Sequence, residues 1–187
     1  FIPTIGDTTS FSDPAAAIAP SLEHFERVAL AAETAGFEYV LIPVNATCWD
    51  AWVTAAFLVS KTKTLKALIA IKPGFIHPVA QAKMVTTFDQ MSGGRLFLNL
   101  IAGLSEKEAI AEGQIASKEA RYEQLAEEVA LLKRLWTEEN VEFNGKYYQV
   151  HGPKITPRPF QKPHPPFFLG GGSAQAAEIS AEHSERS

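Results

Sequence analysis

Cysteine is nearly absent from this chain, whose single thiol is Cys48. An internal disulfide is therefore excluded. One Cys beside five separated His offers no metal-ligand spacing, so no metal site is expected and a reducing compartment is the default. Long apolar runs are missing too: none approaches the roughly 20 residues that span a bilayer, and the N-terminus lacks the basic region of a secretory leader. The chain reads as cytoplasmic, with no membrane partner. Positive charge is not in excess either. Seventeen Lys+Arg stand against 21 Asp+Glu, a formal net charge of -4, and the basic residues are scattered, which argues against nucleic acid as a partner. What is present, 46% hydrophobic and 20% charged residues over 187 positions, is the profile of a globular domain and excludes disorder. An initiator Met is lacking and the polar residues 181–187 break off after a helical pattern, so the sequence is expected to be incomplete at both ends.

The hydrophobic pattern alternates between two periods. Ser21 is placed as an N-cap before an apolar-periodic run through Phe25, Val28, Ala29 and Ala32, with Gly36 closing the helix. Tyr39-Val40-Leu41-Ile42 is a continuous apolar run of the kind expected in a strand buried on both faces. The unit then repeats, with helices predicted over 50–60 and 78–91 and strands over 65–71 and 96–101. This βα alternation implies a parallel sheet. A polar helical stretch follows from Ser105, and 121–136 has apolar residues at helical spacing. Val141-Glu142-Phe143, Asn144-Gly145 and the apolar-containing run after them predict a hairpin with a type I′ turn. The Pro-rich segment 153–166 is expected to be extended. It leads to Phe167-Phe168-Leu169, a strand, and then Gly170-Gly171-Gly172-Ser173, a loop before a helix. Main-series strands are expected at Phe1, Tyr39, Leu65, Leu96 and Phe167. A closed eight-stranded α/β barrel takes about 250 residues, so the chain would supply the first five β/α units of one, with an insertion over about 105–166. An open doubly wound sheet is the rival architecture.

In either architecture ligands bind beyond the carboxyl ends of the strands. At Gly170-Gly171-Gly172-Ser173, bare N–H groups and a hydroxyl at a helix start suit an anion such as phosphate; a tight turn with Ser173 as a simple N-cap is the alternative. Cys48 lies past a strand end and before a helix, a setting that activates a thiol, yet Cys is also a common small buried hydrophobe. Trp49 and Trp52 read as packing residues, and Asp50 as a helix start. Arg121 and Tyr122, with Lys118 one turn earlier, could present cations and a phenol to one anion, or form a solvated helix start. His77 is either an acid/base group on the rim or an exposed loop residue. His24, His151, His164 and His183 are given no role.

Several segments occur in a specific order: Phe1-Ile2-Pro3-Thr4-Ile5-Gly6-Asp7, Leu41-Ile42-Pro43, Cys48-Trp49-Asp50-Ala51-Trp52, Asp89-Gln90-Met91-Ser92-Gly93-Gly94-Arg95, Asn99-Leu100-Ile101-Ala102-Gly103, Arg121-Tyr122-Glu123 and Phe168-Leu169-Gly170-Gly171-Gly172-Ser173. Together they resemble the bacterial-luciferase-like flavin monooxygenases, most closely the alkanesulfonate monooxygenase branch. The resemblance covers the whole chain as a single domain over 1–187. It implies a (β/α)8 TIM barrel that uses reduced FMN and O2 as cosubstrates. The flavin would come from a separate NAD(P)H-dependent flavin reductase, and the assembly would be a homodimer or tetramer. The implied reaction cleaves the C–S bond of an organosulfonate to an aldehyde and sulfite.

Position by position, the resemblance implies that Tyr122, Gly171, Gly172 and Ser173 hold the flavin phosphate, that Lys118 can meet it, and that Ala102 lies beside the flavin ring. Cys48 matches an active-site cysteine that tunes flavin affinity. The family's principal catalytic Arg, His and Tyr are expected beyond residue 187. Two positions depart from the alkanesulfonate pattern: Ile5 and Lys118 each stand where relatives carry His. The stretches Gly6-Asp7-Thr8-Thr9 and Asn45-Ala46-Thr47-Cys48-Trp49 are similar to sulfoquinovose monooxygenases, whose substrate is a sulfonated sugar. Competing readings are a sulfone or alkane monooxygenase, a deazaflavin-dependent dehydrogenase, and a non-catalytic flavin-binding protein.

Overall fold

A serine hydroxyl opens the first helix: Ser21 accepts a hydrogen bond from the His24 N–H (3.1 Å) and caps α1 (Leu22–Thr34). The computed structural model describes residues 21–44, 48–103, 105–115, 117–152 and 154–169. They belong to two units, Phe1–Ala70 and Ile71–Ser187, divided inside a strand. The strand expected at Phe1 and the loop Gly170-Gly171-Gly172-Ser173 lie outside the described residues.

In the first unit, α1 ends in a Schellman arrangement. Ala35 is the cap, Gly36 takes φ +79°, and the N–H groups of Gly36 and Phe37 return to the carbonyls of Glu33 and Ala32. Any side chain would be strained at that left-handed position, which is why glycine follows the cap. Next come β1 (Tyr39–Ile42), α2 (Ala51–Lys61) and β2 (Lys66–Ile71). Strands β1 and β2 are parallel, with Tyr39 opposite Lys66 and Ile42 opposite Ile69. All but the first residue of β2 are buried, the signature of a parallel strand covered on both faces. Phe25, Ala29, Ala55 and Leu58 are fully buried between helices and strands, and the Phe25 ring packs against Trp49 and Phe57.

Glu33 organises the entry to β2. Its carboxylate accepts from the N–H groups of Lys63 (2.8 Å), Thr64 (2.6 Å) and Leu65 (3.0 Å) and from the Thr64 hydroxyl. These donors stabilise the ionised form and hold the carboxyl at about 2.

The second unit contains α3 (Pro78–Ser92), β3 (Leu96–Leu100), α4 (Glu106–Ala111), α5 (Lys118–Thr137), the antiparallel pair β4 (Glu142–Asn144) and β5 (Gln149–His151), and β6 (Phe167–Leu169). Strands β3 and β6 are parallel, Leu98 facing Phe167 and Leu100 facing Leu169. The apolar stripe of α5 (Leu125, Val129, Leu132, Trp136) is buried, and the Trp136 indole donates to the Ala82 carbonyl of α3 and stacks on Phe167 at 5.8 Å. The Pro-rich run is irregular, with cis peptides at Thr156–Pro157 and Lys162–Pro163. It is tied down by polar contacts: buried Asp89 accepts from the backbone and side chain of Gln161, and Arg158 donates to the carbonyls of Leu135 and Glu138.

Two sequence expectations need correction. Helix α5 starts at Lys118, not at residue 121, because Ser117 caps a polar first turn that no apolar period reveals. The hairpin lacks a two-residue type I′ turn, since neither Asn144 nor Gly145 has positive φ. Asn144 pairs with Gln149, leaving a four-residue loop over 145–148 in which the Gly145 N–H donates to Tyr148 O (2.9 Å). A tertiary contact overrides the local preference: Glu127 of α5 accepts from the N–H groups of Lys146 (2.9 Å), Tyr147 (2.9 Å) and Tyr148 (2.6 Å). A Cβ on residue 145 would collide with that carboxylate, so Gly145 is required for close approach and not for its turn conformation.

Replacing Glu33 with Gln is expected to lower the urea midpoint at neutral pH. The deficit should narrow as pH falls from 5 towards 2, because a depressed carboxyl stabilises above its ordinary value of 4.5 and loses that effect as pH drops through about 2. Urea titrations of both proteins across that range check it; a pH-independent difference would contradict the assignment.

Candidate functional site

The carboxyl ends of β2 and β3 are joined in the second unit by a hydrogen bond from the Ile101 N–H to the Ile71 carbonyl (2.9 Å). Lys72 follows one strand and Ala102 the other, so both stand where parallel α/β folds place ligands.

Three of the sequence-derived cofactor residues meet there. Ala102 is 1% exposed. Its carbonyl accepts from Arg121 Nε (3.1 Å), which pins the start of α5 to the end of β3. Arg121 also donates to Ile115 O (2.8 Å) and is itself buried, so it braces the backbone and does not form a solvated helix start. The next residue, Tyr122, is buried with its hydroxyl over Gly103, where an added Cβ would lie 3.6 Å from the oxygen. Lys118, one turn earlier, is exposed and holds its ammonium 6.0 Å from the Tyr122 ring centre. A cation in a first helical turn opposes the helix dipole, an effect that the adjacent Glu119 carboxylate offsets. The cluster therefore combines a phenol and an ammonium, a donor set that fits a phosphate.

The remaining candidates are placed differently. Gly171, Gly172 and Ser173 lie outside the described residues. Cys48 belongs to the first unit, a half-buried free thiol two residues before Asp50, which caps α2 through the Val53 N–H (2.9 Å). His77 caps α3 by accepting from the Val79 N–H (3.3 Å), and its ring sits edge-on to Tyr148 at 6.2 Å. Among the described residues no His, Cys, Asp or Glu cluster is arranged to hold a metal ion, and no helix is long and apolar enough to cross a membrane.

Sequence reasoning missed a buried polar network beneath the β2–α3 loop. Glu128 of α5, 1% exposed, accepts from the Gly74 N–H (2.9 Å) and from the Tyr148 hydroxyl (2.5 Å), which in turn accepts from Gln124 Nε2 (3.1 Å). Burial pushes the Glu128 carboxyl up to about 7, the Tyr148 and Gly74 donors offsetting only part of that effect. Burial, reinforced by the neighbouring Glu128 charge, raises Tyr148 as well, so its phenol stays a donor. One signal was available: Glu128 falls on the apolar stripe between Leu125 and Leu132, where a solvated carboxylate does not belong.

Parallel strands joined through helices define an α/β protein built on a parallel sheet. A family model described as luciferase-like monooxygenase matches residues 5–186, and the chain belongs to that family. Its fold is similar to that of EDTA monooxygenase from Chelativorans sp. BNC1, with TM-score 0.79 and 21% identity over 88% of this chain and 47% of that one. It is also similar to monooxygenase RslO1 from Streptomyces bottropensis, with TM-score 0.73 and 25% identity over 83% and 49%. A riboflavin lyase solved with modified FMN and riboflavin gives TM-score 0.77 and 20% identity over 88% and 46%. The first and third likenesses concern the fold alone. The chain spans about half the length of these structures.

Wild-type stability is expected to fall as pH rises from about 4.5 to above 7. A carboxyl whose folded value is raised binds its proton on folding, so the cost of burying its charge is absent below 4.5 and complete above about 7. The Glu128→Gln variant should lack this slope, which corresponds to about 3 kcal/mol. Denaturant titrations at pH 5 and pH 8 measure it, and parallel slopes in both proteins would refute the assignment.

Proposed function

We propose that this chain carries the flavin-binding portion of a two-component monooxygenase that takes reduced FMN and O2 and cleaves the C–S bond of an organosulfonate, an alkanesulfonate or sulfoquinovose, to an aldehyde and sulfite. One observation carries the flavin assignment: the Tyr122 hydroxyl lies over Gly103 at the end of β3, next to buried Ala102, with the Lys118 ammonium 6.0 Å from the Tyr122 ring centre. Membership in the luciferase-like monooxygenase family supports the oxygenase chemistry. A similarly folded riboflavin lyase solved with modified FMN is compatible with a flavin at this rim. The sulfonate rests on the ordered motifs that resemble the alkanesulfonate and sulfoquinovose enzymes.

In this reading Tyr122 donates to the FMN phosphate and Lys118 neutralises it, while Gly171, Gly172 and Ser173 complete the cradle. Arg121 holds the Ala102 carbonyl in place, so it is a positioning residue. The resemblance gives Cys48 the tuning of flavin affinity. When bound, reduced FMN supplies two electrons to O2, whose atoms end in the aldehyde and in water as the C–S electron pair leaves on sulfite. A separate NAD(P)H-dependent reductase would deliver the flavin, in the cytoplasm, to a homodimer or tetramer.

The test uses the protein expressed from its complete gene, with FMN, NADH, O2 and a flavin reductase. Sulfite should appear with alkanesulfonates or with sulfoquinovose. Reduced-flavin consumption without sulfite would replace this reading by a sulfone or alkane oxygenase. Retention of oxidised flavin without turnover would replace it by a non-catalytic flavin-binding protein. Tyr122→Phe and Ser173→Ala should each weaken anaerobic binding of reduced FMN by about 1 kcal/mol, roughly fivefold, as read by fluorescence titration. Unchanged affinity in both would remove the phosphate assignment.

A further inference from the structure

A second charged feature stands at the same rim and is unused by the flavin assignment. Lys72, immediately after β2, is 2% exposed, and its ammonium lies 2.5 Å from the Glu112 carboxylate. The two side chains are 1% and 7% exposed. A pair buried this deeply is a poor stabilising device, because desolvation offsets most of the Coulomb attraction and apolar residues of similar volume do as well or better. Fold stability alone therefore does not account for a lysine here.

The two partners are held very differently. Lys72 is fixed by the end of β2, whose Ile71 carbonyl is bonded to Ile101, and so it stands alongside Ala102. Glu112 is carried by α4, a six-residue helix in which only Ala109 is buried. It occupies the C-cap, directly before Gly113 at φ +70°. A segment with so little buried surface opens at low cost compared with the strand it contacts. The Lys72 ammonium also lies 5.2 Å from the ring centre of Phe75, which is 41% exposed.

We propose that Lys72 is the cation that takes the acid group of the small-molecule substrate, and that Glu112 is a resident carboxylate which occupies it until the substrate's own anion displaces it. The exchange replaces one oxyanion by another on the same ammonium; no bond is made or broken and no proton changes place. It keeps the buried cation paired in both states, which avoids the large cost of an uncompensated charge. The inference rests on the sulfonate reading and names the residue through which that substrate is held.

A competitor and a structural clamp respond oppositely to loss of the Glu112 charge. Calorimetric titration of the complete protein with ethanesulfonate and with sulfoquinovose, without turnover, distinguishes them. Glu112→Gln should bind the sulfonate about tenfold more tightly than wild type, Lys72→Arg should retain binding, and Lys72→Met should lose it. Equal or weaker binding by folded Glu112→Gln overturns the proposal. Should Lys72→Met fail to fold, amide exchange on the unmodified protein decides: saturating sulfonate should speed exchange across 106–113, and unchanged exchange with sulfonate bound overturns it. Sulfonate binding that ignores both residues removes this inference and leaves the sulfonate reading standing. Absence of sulfonate binding in every variant, while reduced flavin still binds, removes the sulfonate reading itself.

Discussion

Two consecutive carboxylates on one helix hold the second unit's working parts together. Glu127 gathers three backbone N–H groups of the hairpin loop, and Glu128 takes the Gly74 N–H of the β2–α3 loop together with the Tyr148 hydroxyl of that same hairpin. A hairpin of three cross-strand pairs is marginal by itself. Here its loop is a ligand of α5, and Tyr148 passes the constraint on to the loop between Lys72 and His77. Glu123 adds an outer contact, accepting from Lys146 and from the Tyr147 hydroxyl. The insertion is thus a set of donors wrapped on one helix, whose N-terminal turn carries the candidate phosphate ligands.

The first unit uses the same device in a different dielectric setting. Glu33 gathers three successive N–H groups just as Glu127 does, but at the surface, where its charge costs little and its pKa falls. Glu128 has only one N–H and one phenol and almost no solvent, and its pKa rises. Donor number and water decide the sign between them: with three amides and partial exposure the ionised form wins, and with two donors and near-complete burial it loses. A buried carboxyl that is half-protonated near neutrality is a costly fixture. It is tolerated because it spans three elements that apolar packing alone does not join.

Much of the frame was legible because periodicity reports burial directly. The runs at Tyr39–Ile42 and 96–101 became parallel strands, and Ser21 and Asp50 became helix caps, because these effects act within a few residues. The first strand leaves Tyr39 exposed and Leu41 half-buried where burial on both faces was expected, and the second ends at Leu100. What was misread depended on partners distant in sequence. Asn144-Gly145 carries a strong local turn preference, yet Glu127, almost twenty residues earlier, sets the loop. Arg121 looked available to an anion, but its donors are used by the carbonyls of Ala102 and Ile115. The Lys72–Glu112 pair joins positions forty residues apart, and no period or spacing announces it. Of the candidate site, Ala102, Lys118 and Tyr122 were singled out through an ordered set of motifs and not through any property of the three residues alone.

The distribution of charge along the rim gives these residues a common logic. Arg121 is neutralised by carbonyl dipoles and Lys72 by a full carboxylate, while Lys118 has an aromatic face for company in a helical turn whose dipole disfavours it. The three cations are therefore not equivalent. Arg121 is committed to backbone geometry and cannot be released without loosening the end of β3. Lys118 has the carboxylate of its neighbour Glu119 at the helix start, and Lys72 has a charge held on a short, shallowly buried helix. Ala102 lies beside the end of β2 and its carbonyl is fixed by Arg121, so a rigid backbone separates the two lysines. The function and inference proposed above assign the phosphorylated cofactor to Lys118 and the acidic substrate to Lys72, so that neither cation has to serve both.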